Sequence, residues 1–293
     1  MNANQTKLLK KIDQAKVFLT HNRNLFKCPY CGTRMAAIED YSLICTQGHR
    51  FDLSKKGTLF LIKHGVKSDY DQKELWQARR HVLQHGLFDG VLEQIIHRMP
   101  QRNLTYIDVG CGEGTPLARI REQRRQFNDQ AIGFDISKDA INLATQQTAN
   151  SFFCIADLAA LPFADRQIDV IIDILSPSSY HEFDRVLAQN GILFKVIPNA
   201  EYLIELRHRL YRPEDPKYSY HNDDVLNRVL EQYPQTEVVP VKYQFDLTPA
   251  LATDLLKMTP LQWGTQADPA NVFKTPLEHV TVDMSLLIVR KNL

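Results

Sequence analysis

Residues 105–116 read Thr105-Tyr106-Ile107-Asp108-Val109-Gly110-Cys111-Gly112-Glu113-Gly114-Thr115-Pro116, a short apolar run followed by three alternating glycines and a proline. The run suits a buried strand, and the stretch from Pro116 to Arg125 suits a helix with proline in its first turn. Strand, glycine loop and helix make a half-site for a nucleotide-like ligand. Bare backbone lets such a ligand approach closely, and the helix start presents N–H groups. A glycine loop alone does not name the ligand, so the flanking sequence has to decide.

Downstream, Ala131 to Asp135 reads as a second strand ending in an acid, about twenty residues past the glycines, where a carboxylate accepts ribose hydroxyls. Ser137 is placed to cap a helix running through Gln147. A third strand, Phe152 to Ala156, leads to Asp157-Leu158, where a carboxylate can receive an adenine amino group. A fourth, Ile168 to Ile174, ends in Leu175-Ser176-Pro177-Ser178, and a fifth, Gly191 to Ile197, ends in Pro198-Asn199. Strands alternating with helices predict a parallel α/β sheet with ligands outside the strand carboxyl ends. Upstream, residues 72–99 read as two helices with a break at Gly86, their apolar residues (Leu75, Ala78, Val82, then Val91, Leu92, Ile95) recurring at helical spacing. Taken singly, Asp135 or Asp157 would also suit a cap or a turn. Their order and spacing after Asp108-x-Gly110-x-Gly112-x-Gly114 separate this pattern from the GxGxxG of dinucleotide sites.

Nearer the front, Cys28-x2-Cys31, a 13-residue spacer and Cys45-x3-His49 have the spacing of a zinc ribbon. A CxxC turn can place two thiolates on one ion, and the second pair closes a tetrahedron. Four protein ligands leave no open position for chemistry, which predicts one structural Zn2+ per chain and a docking role for the module. Glycines beside a ligand in each half, Gly32 and Gly48, suit tight turns with positive φ. The surrounding sequence has so little apolar content that its order depends on the ion.

Composition bounds the rest. The chain has 293 residues, 44% of them hydrophobic and 24% charged, so it is long enough for roughly two domains and a sizeable core. No apolar run approaches the roughly 18 residues of a membrane span, no secretory signal opens the chain, and five cysteines are too few for a disulfide scaffold. These features predict a cytoplasmic protein without membrane contact. The net charge of +1 hides an asymmetry: residues 1–67 carry 12 lysines and arginines against 4 acids, whereas the remaining chain carries 23 against 30. A basic front on an acidic body suits a polyanionic partner, although a solvated charged face would give the same count.

The DxGxGxG loop resembles the first motif of class I S-adenosylmethionine-dependent methyltransferases. In order, CPYC, LICTQGHRFDLSKKGTLFLI, QARR, DVGCGEG, LPF (Leu161-Pro162-Phe163) and Lys257-Met258-Thr259-Pro260-Leu261-Gln262-Trp263 resemble the RlmA-type 23S ribosomal RNA guanine-N1 methyltransferases over about residues 26–290. The resemblance implies a Rossmann-like sheet with helices on both faces plus a small N-terminal zinc-ribbon-like module. The corresponding division is a basic extension over 1–25, a zinc module over 26–66 and a methyltransferase domain over 67–293 with the helical lead-in 72–99. It further implies a homodimer presenting a basic cleft to a 23S rRNA hairpin. The four metal positions carry over as Cys28, Cys31, Cys45 and His49. The S-adenosylmethionine contacts carry over as Asp108, Gly110, Gly112, Gly114, Thr115, Pro116, Asp135, Ile136, Asp157 and Leu158, together with Phe88 before the first strand and Tyr202 after the fifth.

The chemistry implied is direct displacement, in which the sulfonium methyl lies in line with guanine N1 and positioning carries much of the rate. Because N1 bears a proton and pairs through that edge, the enzyme must take a looped or flipped base. Ser176, at the fourth strand's end, is the candidate for orienting the guanine. Arg50, Lys55, Lys56, Arg79 and Arg80 are candidates for RNA phosphates, and Trp76 for stacking a base. Two rivals remain open: a small-molecule methyltransferase whose finger serves dimerisation, and a zinc-dependent RNA-binding protein with a vestigial cofactor fold.

Overall fold

A computed structural model describes residues 9–63, 72–147, 150–262 and 268–291. Residues 1–8 of the basic extension, the junction at 66/67 and Trp263 lie outside the described residues. In chain order the first elements are α1 (Lys11–Asn22), β1 (Met35–Glu39), β2 (Ser42–Cys45), β3 (Arg50–Asp52), β4 (Thr58–Leu61), α2 (Lys73–Gln84) and α3 (Asp89–Arg98). The middle of the chain forms β5 (Thr105–Val109), α4 (Thr115–Gln123), β6 (Gln130–Asp135), α5 (Lys138–Ala144), β7 (Ser151–Ala156), β8 (Ile168–Ile174), α6 (Tyr180–Val186) and β9 (Leu187–Pro198). The last part forms α7 (Ile204–Leu210), α8 (Asp223–Gln232), β10 (Glu237–Asp246), α9 (Pro249–Met258), the short α10 (Pro269–Val272) and β11 (His279–Arg290).

Two compact units result, one from Met1–Gln72, Met99–Leu193 and Arg290–Leu293, the other from Lys73–Arg98 and Phe194–Val289. The first holds a parallel sheet in the order β8-β5-β6-β7-β4, with α4 and α5 as crossovers, which is the Rossmann-like arrangement. Its strands are apolar on both faces: every residue of β6 and β7 beyond the first is buried. Parallel register brings Val109 beside Asp173 and Asp135 beside Ile155, so the carboxyl ends of β5, β6, β7 and β8 share one edge. The antiparallel sheet β1-β2-β3 carries the cysteine module.

Two features of this unit were not anticipated from the sequence. Thr58–Leu61, within the stretch following the finger, forms the edge strand β4, parallel to β7. The basic lead-in is also a structural helix: α1 buries Ala15 and Leu19 and stacks Phe18 on Phe152, ring centres 4.8 Å apart. Leu161-Pro162-Phe163 gains a physical role too. Lys27 N–H donates to Pro162 at 3.0 Å, Ala164 N–H donates to Leu25 at 2.8 Å, and Phe26 packs between Phe152 and Phe163. The finger's lead strand is thereby tied to the parallel sheet.

In the second unit, α2 and α3 flank the turn at Gly86, as the periodicity predicts, and β10 pairs antiparallel with β11 over ten residues, Glu237 opposite Ile288 through Asp246 opposite His279. The strand β9 gives its first half to one unit and its second half to the other. Among the described residues no helix is long and apolar enough to cross a membrane.

Candidate functional site

The glycine loop follows β5 directly. Gly110, Gly112 and Gly114 adopt φ of +61°, +55° and +88°, a region that a side chain disfavours. At Gly110 a Cβ would stand 2.4 Å from Ser176 Oγ, and at Gly114 it would stand 3.0 Å from Ala144 Cβ, so there is also no room for one. The loop is braced from beneath. Glu113 is fully buried and accepts from the Thr115 N–H at 3.1 Å, the Thr115 hydroxyl at 2.8 Å and the Gln147 amide at 2.9 Å. Thr115 thus spends its hydroxyl on the loop itself, while Pro116 is buried in the first turn of α4.

Asp135 closes the loop from β6. Its two carboxylate oxygens accept the Gly112 N–H at 2.9 Å and the Ser137 N–H at 2.8 Å. Ile136 follows, half-buried, before Ser137 caps α5. Asp157, half-buried after β7, caps the turn Leu158–Ala160 with one oxygen at 2.8 Å from Ala159 N–H, leaving the other for a donor. Asp108 is buried in β5, one residue before Val109. The candidate residues read from the sequence in this unit therefore gather at the carboxyl edge of one sheet.

Ser176 lies against Gly110. The turn that puts it there begins with Leu175 at φ +57°, a strained conformation for a branched apolar residue. Asp173, fully buried at the end of β8, holds the turn by accepting the Ser176 N–H at 3.3 Å and the Ser178 hydroxyl at 2.6 Å. Asp173, Glu113 and Gln147 were not picked out from the sequence. Asp173 and Glu113 left a trace there, an acid inside an apolar strand and one inside the glycine loop, whereas Gln147 left none.

Phe88 and Tyr202 belong to the second unit. Phe88 is 2% exposed in the turn between α2 and α3, with the Arg79 guanidinium 5.8 Å from its ring centre. Tyr202 is half-buried after β9, and burial pushes its hydroxyl pKa well above the usual value. Trp76 is 5% exposed on the apolar face of α2 with Leu75, Ala78, Val82 and Leu83, so its ring fills core and is not presented to a base from solvent. Arg79 and Arg80 are half-buried on the same helix. Lys55 and Lys56 are exposed, and Arg50 pairs with Glu39 at 3.0 Å on the surface.

The metal-type residues converge. The ligand atoms of Cys28, Cys31, Cys45 and His49 all lie within 4.8 Å of one another. Cys31 Sγ is 3.8 Å from Cys45 Sγ, and His49 Nδ1 lies 3.5 Å from Cys28 Sγ and 3.4 Å from Cys45 Sγ. Bonds of about 2.3 Å to sulfur and about 2.05 Å to nitrogen in a tetrahedron require separations of about 3.8 and 3.6 Å. The donor set therefore fits zinc, and the sulfur atoms are much too far apart for a disulfide, which needs about 2.05 Å. The Thr33 hydroxyl holds the Cys31 thiol down at about 7, and burial pushes Cys28 up to about 11.

A family model described as a methyltransferase domain matches residues 100–220. Over 279 residues the chain is 37% identical to a Bacillus subtilis (strain 168) protein named "Putative 23S rRNA (guanine-N(1)-)-methyltransferase YxjB", covering 92% of this chain and 98% of that one. The chain belongs to the RlmA-type 23S rRNA (guanine-N1)-methyltransferase family. A 23S rRNA (guanine(748)-N(1))-methyltransferase of Streptomyces fradiae is 27% identical to this family member over 187 residues, 61% of this chain and 65% of that one. Among solved structures, Haemonchus contortus phosphoethanolamine N-methyltransferase 2 matches it with a TM-score of 0.50 at 14% identity, covering 78% of this chain and 61% of that one. At that identity the likeness concerns the fold, a methyltransferase sheet.

Proposed function

We propose that this protein methylates guanine N1 in a hairpin loop of 23S rRNA, with S-adenosylmethionine as donor and the zinc module docking the RNA. The observation that carries the reading is the loop with Gly110, Gly112 and Gly114 at positive φ, closed by Asp135 and faced by Ser176, in a chain of this family. When bound, S-adenosylmethionine supplies an electrophilic sulfonium methyl. The residues that would hold it are the glycine loop along its backbone, Asp135 at the ribose hydroxyls and Asp157 at the adenine amino group, with Asp108, Thr115, Pro116, Ile136 and Leu158 shaping the pocket.

Methyl transfer from such a donor would make the N1–carbon bond at the expense of the carbon–sulfur bond, and the N1 proton would pass to water. Ser176 orients the guanine through its hydroxyl or its carbonyl, and Asp173 fixes the turn that presents it. Excluding water and aligning the base carry much of the rate. Cys28, Cys31, Cys45 and His49 would hold zinc, which would tie the two halves of the finger together. Lys55, Lys56, Arg50, Arg79 and Arg80 meet phosphates. The reading includes a homodimer acting in the cytoplasm, and sedimentation of the purified protein measures the first part.

The test is transfer of labelled methyl from S-adenosylmethionine to 23S rRNA fragments offered beside small-molecule acceptors. Label in RNA supports the proposal, label only in small acceptors replaces it with a small-molecule enzyme, and no label leaves an RNA-binding protein. Ser176→Ala with unchanged turnover would remove Ser176 from the mechanism.

A further inference from the structure

Tyr30 stands between the two cysteines of the first knuckle, and 51% of its surface is exposed. The ring is nevertheless fixed. It stacks on Phe51 with centres 5.7 Å apart and planes 17° apart, and tilts against His49 at 5.4 Å. Phe51 is 5% exposed, so the finger's small core ends at this pair and the remaining surface of the phenol ring faces solvent. A single exposed aromatic needs no explanation of its own. Its setting supplies one.

The cations of the same module are left for a partner, while its acids are partly engaged. Arg34, Lys55 and Lys56 are exposed and have no ion-pair partner among the described residues. Glu39 is paired with Arg50, and Asp52 accepts the Ser42 hydroxyl at 2.5 Å. Lys55 and Lys56 ride on a stiff turn. Ser54 Oγ accepts the N–H groups of Lys56 and Thr58, both at 3.2 Å, and Gly57, at φ +76°, leaves no space for a Cβ, which would stand 2.5 Å from the Lys11 carbonyl of α1. A pre-oriented ring in a module that also carries exposed cations without an ion-pair partner among the described residues suits single-stranded nucleic acid: cations track phosphates and the ring stacks a base.

We propose that Tyr30 is the platform on which an unpaired base of the RNA stacks, with Lys55 and Lys56 on the flanking phosphates. The proposal rests on the RNA reading above. A guanine that must leave its stack to be methylated favours a finger that grips unpaired nucleotides over one that reads a duplex.

The test uses the full-length, zinc-loaded protein and synthetic 23S rRNA hairpins, including the loop containing guanine 748, with 2-aminopurine substituted in turn at each loop position. Wild-type protein is expected to quench one loop position on binding. Tyr30→Ala should weaken binding about 5- to 150-fold and abolish that quenching, whereas Tyr30→Phe and Tyr30→Trp keep both. Tyr30→Leu, which still covers Phe51 but has no π-face, should lose the quenching while holding one zinc per chain by mass spectrometry. None of these changes removes a charge, so the salt slope of binding should stay as in wild type, while Lys55→Gln with Lys56→Gln should flatten it. If wild-type protein binds no hairpin, the RNA reading fails and the platform with it. If it binds and Tyr30→Ala or Tyr30→Leu matches wild type in affinity and quenching, the platform alone is overturned.

Discussion

Replacing Gly110 by alanine tests the proposed cofactor cradle at its tightest point. The backbone there has φ +61°, which costs a residue with a Cβ about 1–2 kcal/mol. The new methyl would also stand 2.4 Å from Ser176 Oγ and 3.1 Å from Ser176 Cβ, where ordinary contact begins near 3.4 Å. The obstacle is a short side chain on a turn anchored by Asp173, so it has little freedom to swing aside. Overpacking of this kind costs about 1–3 kcal/mol, which with the backbone cost gives about 2–5 kcal/mol in all, an upper range because the turn can give slightly. Denaturant unfolding measures the stability change, and calorimetric titration with S-adenosylmethionine measures the binding, expected to fall about 5- to 70-fold if half of the strain is relieved by deforming the loop. Pairing the change with Ser176→Gly should recover the steric part and leave the backbone part, a coupling of about 1–3 kcal/mol. Wild-type stability and affinity in Gly110→Ala, or a double variant no better than the single one, would refute this account of the loop.

Three other outcomes follow from the same geometry. Asp135→Asn puts an amide NH2 where one oxygen accepts a backbone N–H from Gly112 or Ser137; it should lower S-adenosylmethionine affinity about 10-fold or more by calorimetry and destabilise the fold by about 1–3 kcal/mol. Glu182 accepts the Leu161 N–H at 2.7 Å and two bonds from Arg185, whose guanidinium also donates to the Leu161 and Phe163 carbonyls. Burial, the largest single influence, raises its carboxyl, but Arg185, the Leu161 N–H and Lys27 together outweigh it and hold the carboxyl below the ordinary range. A carboxyl depressed in the folded state stabilises at pH values above its unfolded pKa of about 4.3 and loses that contribution as pH falls through the folded value. Glu182→Gln should therefore cost about 2–3 kcal/mol at pH 7 in urea unfolding, and its deficit against wild type should shrink below about pH 4. Purified protein should hold one zinc per chain by mass spectrometry, and Cys45→Ser, which removes a ligand and the acceptor of the His49 N–H at 3.3 Å, should hold none.

Residues that must satisfy a backbone constraint were the ones legible in the sequence. Three glycines at positive φ, an acid ending β6 and another following β7 are forced by the loop and by strand alternation, and the four metal ligands are forced by their spacing. Long-range pairing left no comparable trace. The four residues Thr58–Leu61 carry too short a period to show that they leave the finger for the edge of the parallel sheet, and β10 and β11 meet across more than thirty intervening residues. One buried ion pair was equally silent: Arg124, 1% exposed, pairs with Asp129 at 2.7 Å and bridges to the Pro100 and Arg102 carbonyls, and neither residue belongs to a pattern that marks it. Trp76 was legible but misassigned. It sits seven residues before Leu83 on the core face of α2, and that spacing outweighs its proximity to Arg79 and Arg80.

The central claim is best tested on the RNA itself. An unmodified 23S rRNA transcript incubated with the zinc-loaded protein and S-adenosylmethionine should yield 1-methylguanosine by nucleoside mass spectrometry and a single new reverse-transcription stop at a guanine in a hairpin loop. Methylation at another atom or another nucleoside, or no methylated nucleoside at all, would contradict it.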